Sequence, residues 1–189
     1  MAKVSIIGTG TWGIALGMVL AQNGHEVTAW SALPKEIEAL RESYTCKNLP
    51  GVEIPRSIVF TADLQEACTD KEMLVLSVPS VFTRGVAKQM NPFVKEGQLI
   101  VSVAKGIEEK TLMTMSQQIE EELPMANVAV LSGPSHAEEV SRGIPTTVVA
   151  GAKDRQTAEH IQNLFMSSVF RVYTSPDILG IELGGALKN

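Results

Sequence analysis

Short apolar runs rich in valine, isoleucine and leucine recur along this chain, and stretches with helical spacing of apolar residues separate them. These runs predict eight strands, at residues 4–7, 26–30, 58–60, 73–78, 99–103, 128–131, 146–150 and 169–173. The stretches between them predict helices at residues 14–20, 33–41, 63–67, 80–90, 111–122, 136–140 and 154–165, with a last one from about 176. Strands that alternate with helices favour an α/β fold with a doubly wound, mostly parallel sheet. The connections around the last two strands leave open antiparallel pairing at that edge.

The first strand ends in a glycine-rich motif, G-x-G-x-x-G, and a helical stretch follows it. We expect Gly8 to allow the sharp turn out of the strand, Gly10 to let the backbone approach a pyrophosphate, and Gly13 to let the helix pack closely. The free N–H groups at the start of that helix favour an anion. Because a second strand follows at Glu26–Trp30, the context predicts a Rossmann-type dinucleotide-binding unit.

The composition narrows the classes of function. The chain has 189 residues, 44% of them apolar, which suits one domain with a core between helices and a sheet. The net charge is −5 with scattered lysine and arginine, which argues against a nucleic-acid surface. Cys46 and Cys68 lack metal-ligand spacing, so we predict neither a metal site nor a disulfide framework. No apolar run approaches the about 18 residues of a membrane span, and no signal peptide precedes the first strand, so we expect a cytoplasmic protein.

Residues suited to binding chemistry follow several of the predicted strands at their carboxyl ends. They are the glycine motif, Val78-Pro79-Ser80, Lys105-Gly106 and Gly133-Pro134-Ser135. An open α/β sheet binds its ligands at this edge. We therefore expect one continuous cleft, with a cofactor at one end and a substrate at the other.

Lys105 and Ser135 are the first candidates for substrate binding. A lysine directly after a strand would bring a positive charge to an anionic or carbonyl substrate, although an exposed loop lysine is the alternative. Gly133-Pro134-Ser135 is expected to open a short helix whose N–H groups and serine hydroxyl hold a phosphate or alcohol oxygen, and a plain N-cap fits equally well. His136 is not expected to form a catalytic dyad with Ser135, because no orienting partner is evident.

The last predicted helix contains two glycines followed by a lysine. Gly184 and Gly185 cost about 1 kcal/mol each relative to alanine, so we expect their small size to be needed. Lys188 shares a helix face with them and with Ile181, and partial desolvation there would lower its pKa towards the range of acid–base catalysis. A lysine that snorkels at a helix end is the alternative. The helix lacks a cap or polar tail, so we expect a truncated chain.

The residues after the second strand usually distinguish NAD from NADP. An acidic residue there binds the ribose diol of NAD, and an arginine binds the 2′-phosphate of NADP. Ser31 and Ala32 are neither. Lys35 could reach a 2′-phosphate, but Glu36 beside it opposes that interaction. The sequence therefore predicts NAD or NADP without choosing between them.

With these residues assigned, the chain resembles the bacterial NAD(P)-dependent glycerol-3-phosphate dehydrogenase family over essentially its whole length. Five motifs in order carry the resemblance, at residues 7–13, 78–80, 104–107, 131–139 and 182–189. The resemblance implies an oxidoreductase that interconverts dihydroxyacetone phosphate and sn-glycerol 3-phosphate by hydride transfer with NAD(P)H. Its product supplies glycerophospholipid synthesis.

The resemblance also implies which residues contact the cofactor. Thr11 and Trp12 match residues of the glycine loop that touch the dinucleotide, and Ala137 matches a further cofactor contact. The family usually has a basic residue where this chain has Ala32, which leaves its preference for NADP open.

Other matches concern the substrate and the reaction. Lys105 matches a lysine that touches both cofactor and substrate, and Gly133 and Ser135 match substrate contacts. Lys188 matches the general acid/base, which would protonate the developing alkoxide as hydride leaves C4 of the nicotinamide. Lys105 would stabilise the same oxygen.

Members of this family carry a helical second domain that closes the cleft and supplies phosphate contacts. The resemblance therefore implies that residues 1–189 are the NAD(P)-binding domain with the start of the helix that leads into a C-terminal domain absent here. We expect such a chain to fold and bind nucleotide but to turn over poorly or not at all. The sequence leaves open a homodimer of the full-length protein.

Two other functions stay open. One is a related Rossmann reductase that acts on another hydroxy acid, and the other is a non-catalytic module that senses NAD(H). Neither requires Lys105 and Lys188 together, and a panel of substrates would separate the first from the phosphorylated triose.

Overall fold

A computed structural model describes residues 1–188 and shows the α/β architecture that the alternating pattern predicts. The strands are β1 Lys3–Ile7, β2 Glu26–Trp30, β3 Val59–Thr61, β4 Met73–Leu76, β5 Leu99–Ser102, β6 Asn127–Ser132, β7 Thr146–Gly151 and β8 Phe170–Ser175. The helices are α1 Thr11–Gln22, α2 Pro34–Ser43, α3 Leu64–Cys68, α4 Thr83–Met90, α5 Met115–Glu122, α6 Ala137–Ser141, α7 Arg155–Phe165 and α8 Ile178–Leu187. Two short 3₁₀ helices flank α4, at Ser80–Phe82 and Asn91–Phe93. The predicted fold class is confirmed.

All eight strands form one sheet in the order β3-β2-β1-β4-β5-β6-β7-β8. Strands β1 to β6 are parallel to one another, whereas β7 is antiparallel to β6 and β8 is parallel to β7. The antiparallel pairing left open by the sequence is thus present at the β6–β7 junction. The strand order reverses between β1 and β4, and such a switch point opens a crevice beyond the carboxyl ends of the strands.

Helices cover both faces of the sheet. One apolar cluster joins it to α1, α2, α6 and α7, and a second joins it to α3, α4 and α5. Central strands covered on both sides read as continuous apolar runs, and all four residues of β4 are buried. Helix α8 packs against β6 and β7. Within residues 1–188, no helix has both the length and the apolar character needed to cross a membrane.

The helix predicted from residue 111 begins four residues later than expected. Leu112 adopts a left-handed backbone conformation, with φ of +59°, that an α-helix does not accommodate. Thr114 instead caps α5 in a capping box with Gln117, in which each side chain bonds the other's backbone N–H. The intervening residues form a loop that leads away from the end of β5.

The segment after β4 also differs from the prediction. The strand ends at Leu76 rather than Val78, and the expected continuous helix starts as the 3₁₀ turn Ser80–Phe82 before α4. The side chain of Ser77 turns towards the glycine loop, where its hydroxyl donates a hydrogen bond to the Gly8 carbonyl at 2.7 Å. This side chain contact joins the end of β4 to the end of β1 at the switch point.

Candidate functional site

The glycine loop between β1 and α1 has the geometry of a close turn. Gly8 has a φ of +118°, and a Cβ atom there would lie 2.9 Å from the backbone nitrogen of Val78. At Gly13 a Cβ atom would lie 2.1 Å from the Gly8 carbonyl oxygen and 2.5 Å from the Ser77 hydroxyl. Gly10, by contrast, has no atom within 4 Å of the equivalent position. The loop is therefore packed tightly against β4 but open at Gly10, where α1 begins.

Ser77 is a contributor that the sequence reasoning missed. Its hydroxyl bonds the Gly8 carbonyl and would lie 2.5 Å from a Cβ atom at Gly13, so it holds the first end of the glycine loop and packs closely against the other. The signal in the sequence is a single hydroxyl side chain immediately after the apolar strand Met73–Leu76.

Two adjoining cavities lie beyond the carboxyl ends of the central strands. The first has a volume of about 580 Å³ and extends from the glycine loop to the end of β2. The second, of about 570 Å³, extends from the same loop to the end of α8. They have four lining residues in common, Gly10, Ser77, Val78 and Pro79. Together they form the continuous cleft that the positions of the motifs predict.

The first cavity has mostly apolar walls. Leu33, Val81 and Phe82 stand at its rim with 63%, 82% and 59% of their surface exposed. Large apolar side chains so exposed commonly mark a ligand-binding surface. Among the described residues that line this cavity, Glu36 is the single charged one. Apart from this carboxylate, the walls suit an apolar ring.

The second cavity contains Lys105, whose side chain is half-buried. Its Nζ donates a hydrogen bond to the Gly133 carbonyl at 3.0 Å and lies 5.9 Å from the centre of the Trp12 ring. Burial lowers the pKa of Lys105, and the positive charge of Lys188 lowers it further. Ala137 lines the same cavity. The cavity thus presents a partly desolvated cation beside an aromatic face.

Two buried polar atoms of the glycine loop have no hydrogen-bond partner within residues 1–188. They are the hydroxyl of Thr9, a residue in the wall of the first cavity, and the indole N–H of Trp12, a residue in the wall of the second. An unsatisfied buried polar atom costs about 1–3 kcal/mol. Polar ligand groups that enter the cleft along the loop would remove this cost, so the loop fits a phosphate-bearing cofactor.

The segment after β6 differs from the expectation in its local structure. Gly133-Pro134-Ser135 does not open a helix, because α6 begins only at Ala137 and has His136 as its N-cap. The hydroxyl of Ser135 bonds back to the Gly133 carbonyl at 3.3 Å, which keeps these residues in a loop. A Cβ atom at Gly133 would lie 2.8 Å from the carbonyl oxygen of Thr147 in β7, so packing against that strand requires the glycine. Ser135 still lines the second cavity.

Helix α8 brings Lys188 to the second cavity, with a different environment from the one predicted. Lys188 is exposed, so the expectation of a partly desolvated lysine there is wrong, and Lys105 is the desolvated one. A Cβ atom at Gly185 would lie 2.7 Å from the Ser132 hydroxyl and 3.6 Å from Cγ of Lys105. At Gly184 it would meet nothing within 4 Å, so only one of the two glycines is required by close packing.

A buried carboxylate, that of Glu182, holds α8 in place. No pattern in the sequence singles this residue out. Glu182 is 8% exposed and accepts hydrogen bonds from the backbone N–H of Ser116 at 2.8 Å and from its hydroxyl at 2.6 Å. Ser116 lies in the first turn of α5, where free N–H groups and the helix dipole favour a negative charge. The contact fixes the position of α8, and so of Gly185 and Lys188, relative to the cleft.

We expect Glu182→Ala to destabilise the chain by about 2–3 kcal/mol, because it leaves a buried N–H of α5 without its acceptor. Urea unfolding would measure this change in stability. Hydrogen exchange should show that the substitution speeds amide exchange more in α8 than in β1. Ser116→Ala is the control, since it removes one of the two hydrogen bonds and should cost clearly less. Equal stability of Glu182→Ala and the unchanged chain would show that the contact does not hold the helix.

The chain matches the family model described as NAD-dependent glycerol-3-phosphate dehydrogenase N-terminus over residues 3–158. Its relatives include glycerol-3-phosphate dehydrogenase (NAD(P)+) of Agathobacter rectalis, 62% identical over 190 residues, covering 100% of this chain and 56% of the relative. The protein of the same name in Fusobacterium nucleatum is 53% identical over 192 residues, covering 100% of this chain and 57% of the relative.

A similar solved structure comes from glycerol-3-phosphate dehydrogenase of Coxiella burnetii. It superposes with a TM-score of 0.92 at 28% identity, over 97% of this chain and 57% of that one. The chain thus spans little more than half the length of these relatives, 56% of the first. Because the family model covers most of the chain, the chain belongs to the family of NAD-dependent glycerol-3-phosphate dehydrogenases and matches their N-terminal part.

Proposed function

We propose that this chain is the cofactor-binding part of an enzyme that interconverts dihydroxyacetone phosphate and sn-glycerol 3-phosphate with NAD(P)H. One observation carries the proposal: the glycine loop, Lys105 and Lys188 line one cleft at the switch point of the sheet. A cleft of this kind is where doubly wound folds bind dinucleotides. The family match and the names of the relatives support the same activity.

The two cavities suggest how the dinucleotide lies. We assign the adenosine to the first cavity, between Leu33 and Phe82, and the pyrophosphate to the backbone N–H groups at Gly10 and Thr11. The nicotinamide would then lie in the second cavity beside Trp12 and Ala137. Both residues line that cavity, as expected for residues that contact the cofactor. When bound, the nicotinamide supplies or accepts the hydride.

The residues of the second cavity would bind the triose and manage its proton. Lys105 can orient the carbonyl oxygen and balance the negative charge that develops on it. Ser135 lines the same cavity, where its hydroxyl can turn from the carbonyl of the neighbouring Gly133 to a substrate oxygen. Lys188 at the open end would donate the proton in reduction and accept it in the reverse direction.

The greater length of the relatives supports a domain assignment for this chain. We assign residues 1–189 to the NAD(P)-binding domain, with α8 as the helix through which the longer relatives continue. Since Lys188 is exposed, turnover by this chain alone should be low, because water competes with the substrate for the proton donor.

Titration with NADH and NADPH, with and without dihydroxyacetone phosphate, tests the proposal. Trp12 and Trp30 line the two cavities, so bound nucleotide should change the tryptophan emission, and Trp30→Phe isolates the signal of Trp12. We expect binding of at least one nucleotide and tighter binding of the triose in its presence, with glycerol as the control ligand. Failure of both nucleotides to bind would overturn the proposal.

A further inference from the structure

Helix α2 brings a carboxylate into the first cavity next to the end of β2. The hydroxyl of Ser31, one residue beyond β2, donates a hydrogen bond to Oε2 of Glu36 at 2.6 Å. The same hydroxyl accepts one from the backbone N–H of Leu33 at 3.2 Å, so its direction is fixed. Ser31 is 7% exposed and Glu36 is half-buried. The carboxylate is therefore held in one position at the cavity wall.

Glu36 is near the start of α2, and only one of its carboxylate oxygens is bonded within the chain. It lies in the first turn of the helix, three residues after the N-cap Leu33. The other carboxylate oxygen, Oε1, has no donor within residues 1–188. It remains available to a ligand in the cavity.

No cation of the described residues offsets this charge inside the cavity. The lining contains Glu36 but neither lysine nor arginine. Arg41, on the same helix, points away and donates two hydrogen bonds to the Phe60 carbonyl, at 3.0 and 2.7 Å. Lys35 is exposed and lies outside the lining. The cavity is negative at the end of β2.

The two dinucleotides differ at the adenosine ribose that this region would hold. A free 2′-hydroxyl can donate a hydrogen bond to a carboxylate, as acidic residues after β2 do in related folds. A 2′-phosphate instead brings about 1.5 to 2 negative charges close to another carboxylate between apolar walls, which is strongly unfavourable.

We propose that Glu36, held by Ser31, accepts a hydrogen bond from the adenosine ribose and makes this chain select NAD(H) over NADP(H). The inference rests on the proposed dinucleotide site and adds the choice of cofactor to it. The residue that selects the cofactor usually follows β2, where this chain has the uncharged Ser31 and Ala32. In this proposal the selecting carboxylate comes instead from the next helix, α2.

Calorimetric titration with ADP-ribose and 2′-phospho-ADP-ribose tests the proposal at the adenosine end alone. We expect the unchanged chain to bind ADP-ribose at least about tenfold more tightly than its 2′-phosphate. Glu36→Gln keeps the size of the side chain and removes the charge, so it should reduce this ratio by about tenfold, mainly through tighter binding of the 2′-phosphate. Glu38→Gln is the matched control, because Glu38 is exposed on the same helix outside the cavity and its loss should leave the ratio unchanged.

Two further measurements separate charge from shape. Ser31→Ala keeps the Glu36 carboxylate but removes the hydrogen bond that holds it in place. This variant should bind ADP-ribose a few-fold more weakly and still prefer it to its 2′-phosphate. Added salt screens charges, so it should reduce the ratio of the two affinities, ADP-ribose over its 2′-phosphate, for the unchanged chain but not for Glu36→Gln. Thermal unfolding confirms that each variant is folded before it is titrated.

The outcomes distinguish this inference from the proposed function. Equal binding of the two ligands by the unchanged chain, or a ratio unaffected by Glu36→Gln, would overturn the role of Glu36 while the dinucleotide site stands. Failure of both ADP-ribose and NADH to bind would overturn the dinucleotide site itself, and the choice of cofactor with it.

Discussion

Replacing Gly13 by alanine is expected to abolish nucleotide binding and to destabilise the chain by about 3 kcal/mol or more. The new Cβ atom would lie 2.1 Å from the Gly8 carbonyl oxygen and 2.5 Å from the Ser77 hydroxyl. Neither atom can move freely, because Ser77 bonds that carbonyl at 2.7 Å and the Gly8 N–H bonds the Trp30 carbonyl at 2.9 Å. Relief of the clash must therefore shift α1 away from the sheet or break the turn.

Gly17→Ala in the same helix provides the control for this variant. At Gly17 a Cβ atom would lie 3.4 Å from Cγ1 of Ile6, an ordinary contact, and alanine favours an α-helix by about 1 kcal/mol over glycine. Urea unfolding and NADH titration should show Gly17→Ala at least as stable as the unchanged chain and able to bind. If Gly13→Ala matched it in both measurements, the close packing of the loop would not be needed.

Local sequence was sufficient to predict the glycine loop and most of the elements around it. The turn at Gly8 and the packing at Gly13 depend on a few consecutive residues between one strand and one helix, and the structure shows both. The apolar run Met73–Leu76 likewise shows that its strand is buried on both faces. Such features can be predicted from a short stretch of sequence, because the backbone geometry and the burial pattern repeat within one element.

Features that depend on distant contacts could not be predicted in this way. Glu36 is three residues into a helix, and only the fold places it beside Ser31 in the cavity. Glu182 contacts Ser116 across 66 positions of the chain, a distance at which spacing carries no information. The predicted start of α5 was wrong for a local reason. Leu112 adopts a left-handed backbone conformation, and a leucine in the sequence gives no indication of that conformation.

The environment of the two lysines shows the same limit. Helical spacing indicated that Lys188 would be the desolvated group, yet the structure leaves it exposed and buries part of Lys105 instead. Burial of Lys105 depends on Gly185, whose lack of a side chain lets α8 approach Cγ of the lysine. The packing of α8 on β6, rather than the composition of either segment, decides which lysine loses water.

Lys105→Met is expected to weaken binding of dihydroxyacetone phosphate in the presence of NADH by about ten- to hundredfold, the usual value of a charged hydrogen bond. Methionine keeps much of the apolar stem beside Trp12 and removes the charge. Lys110→Met is the matched control, because Lys110 is an exposed lysine five residues further along the same loop. Equal losses in the two variants would mean that net charge alone, rather than the position of Lys105, attracts the substrate.

The pH dependence of this binding gives a sharper test, because burial and the charge of Lys188 both lower the pKa of Lys105. A lysine is positively charged below its pKa, so affinity for the anionic substrate should be retained at low pH and fall as pH rises through the pKa of Lys105. The fall should come at a lower pH than an ordinary lysine would give. Lys188→Met removes the neighbouring positive charge and should move the midpoint to higher pH, even though it also lowers the affinity at every pH. A midpoint that stays in place in Lys188→Met would contradict the coupling of the two lysines, and a fall that persists in Lys105→Met would assign the titration to another group.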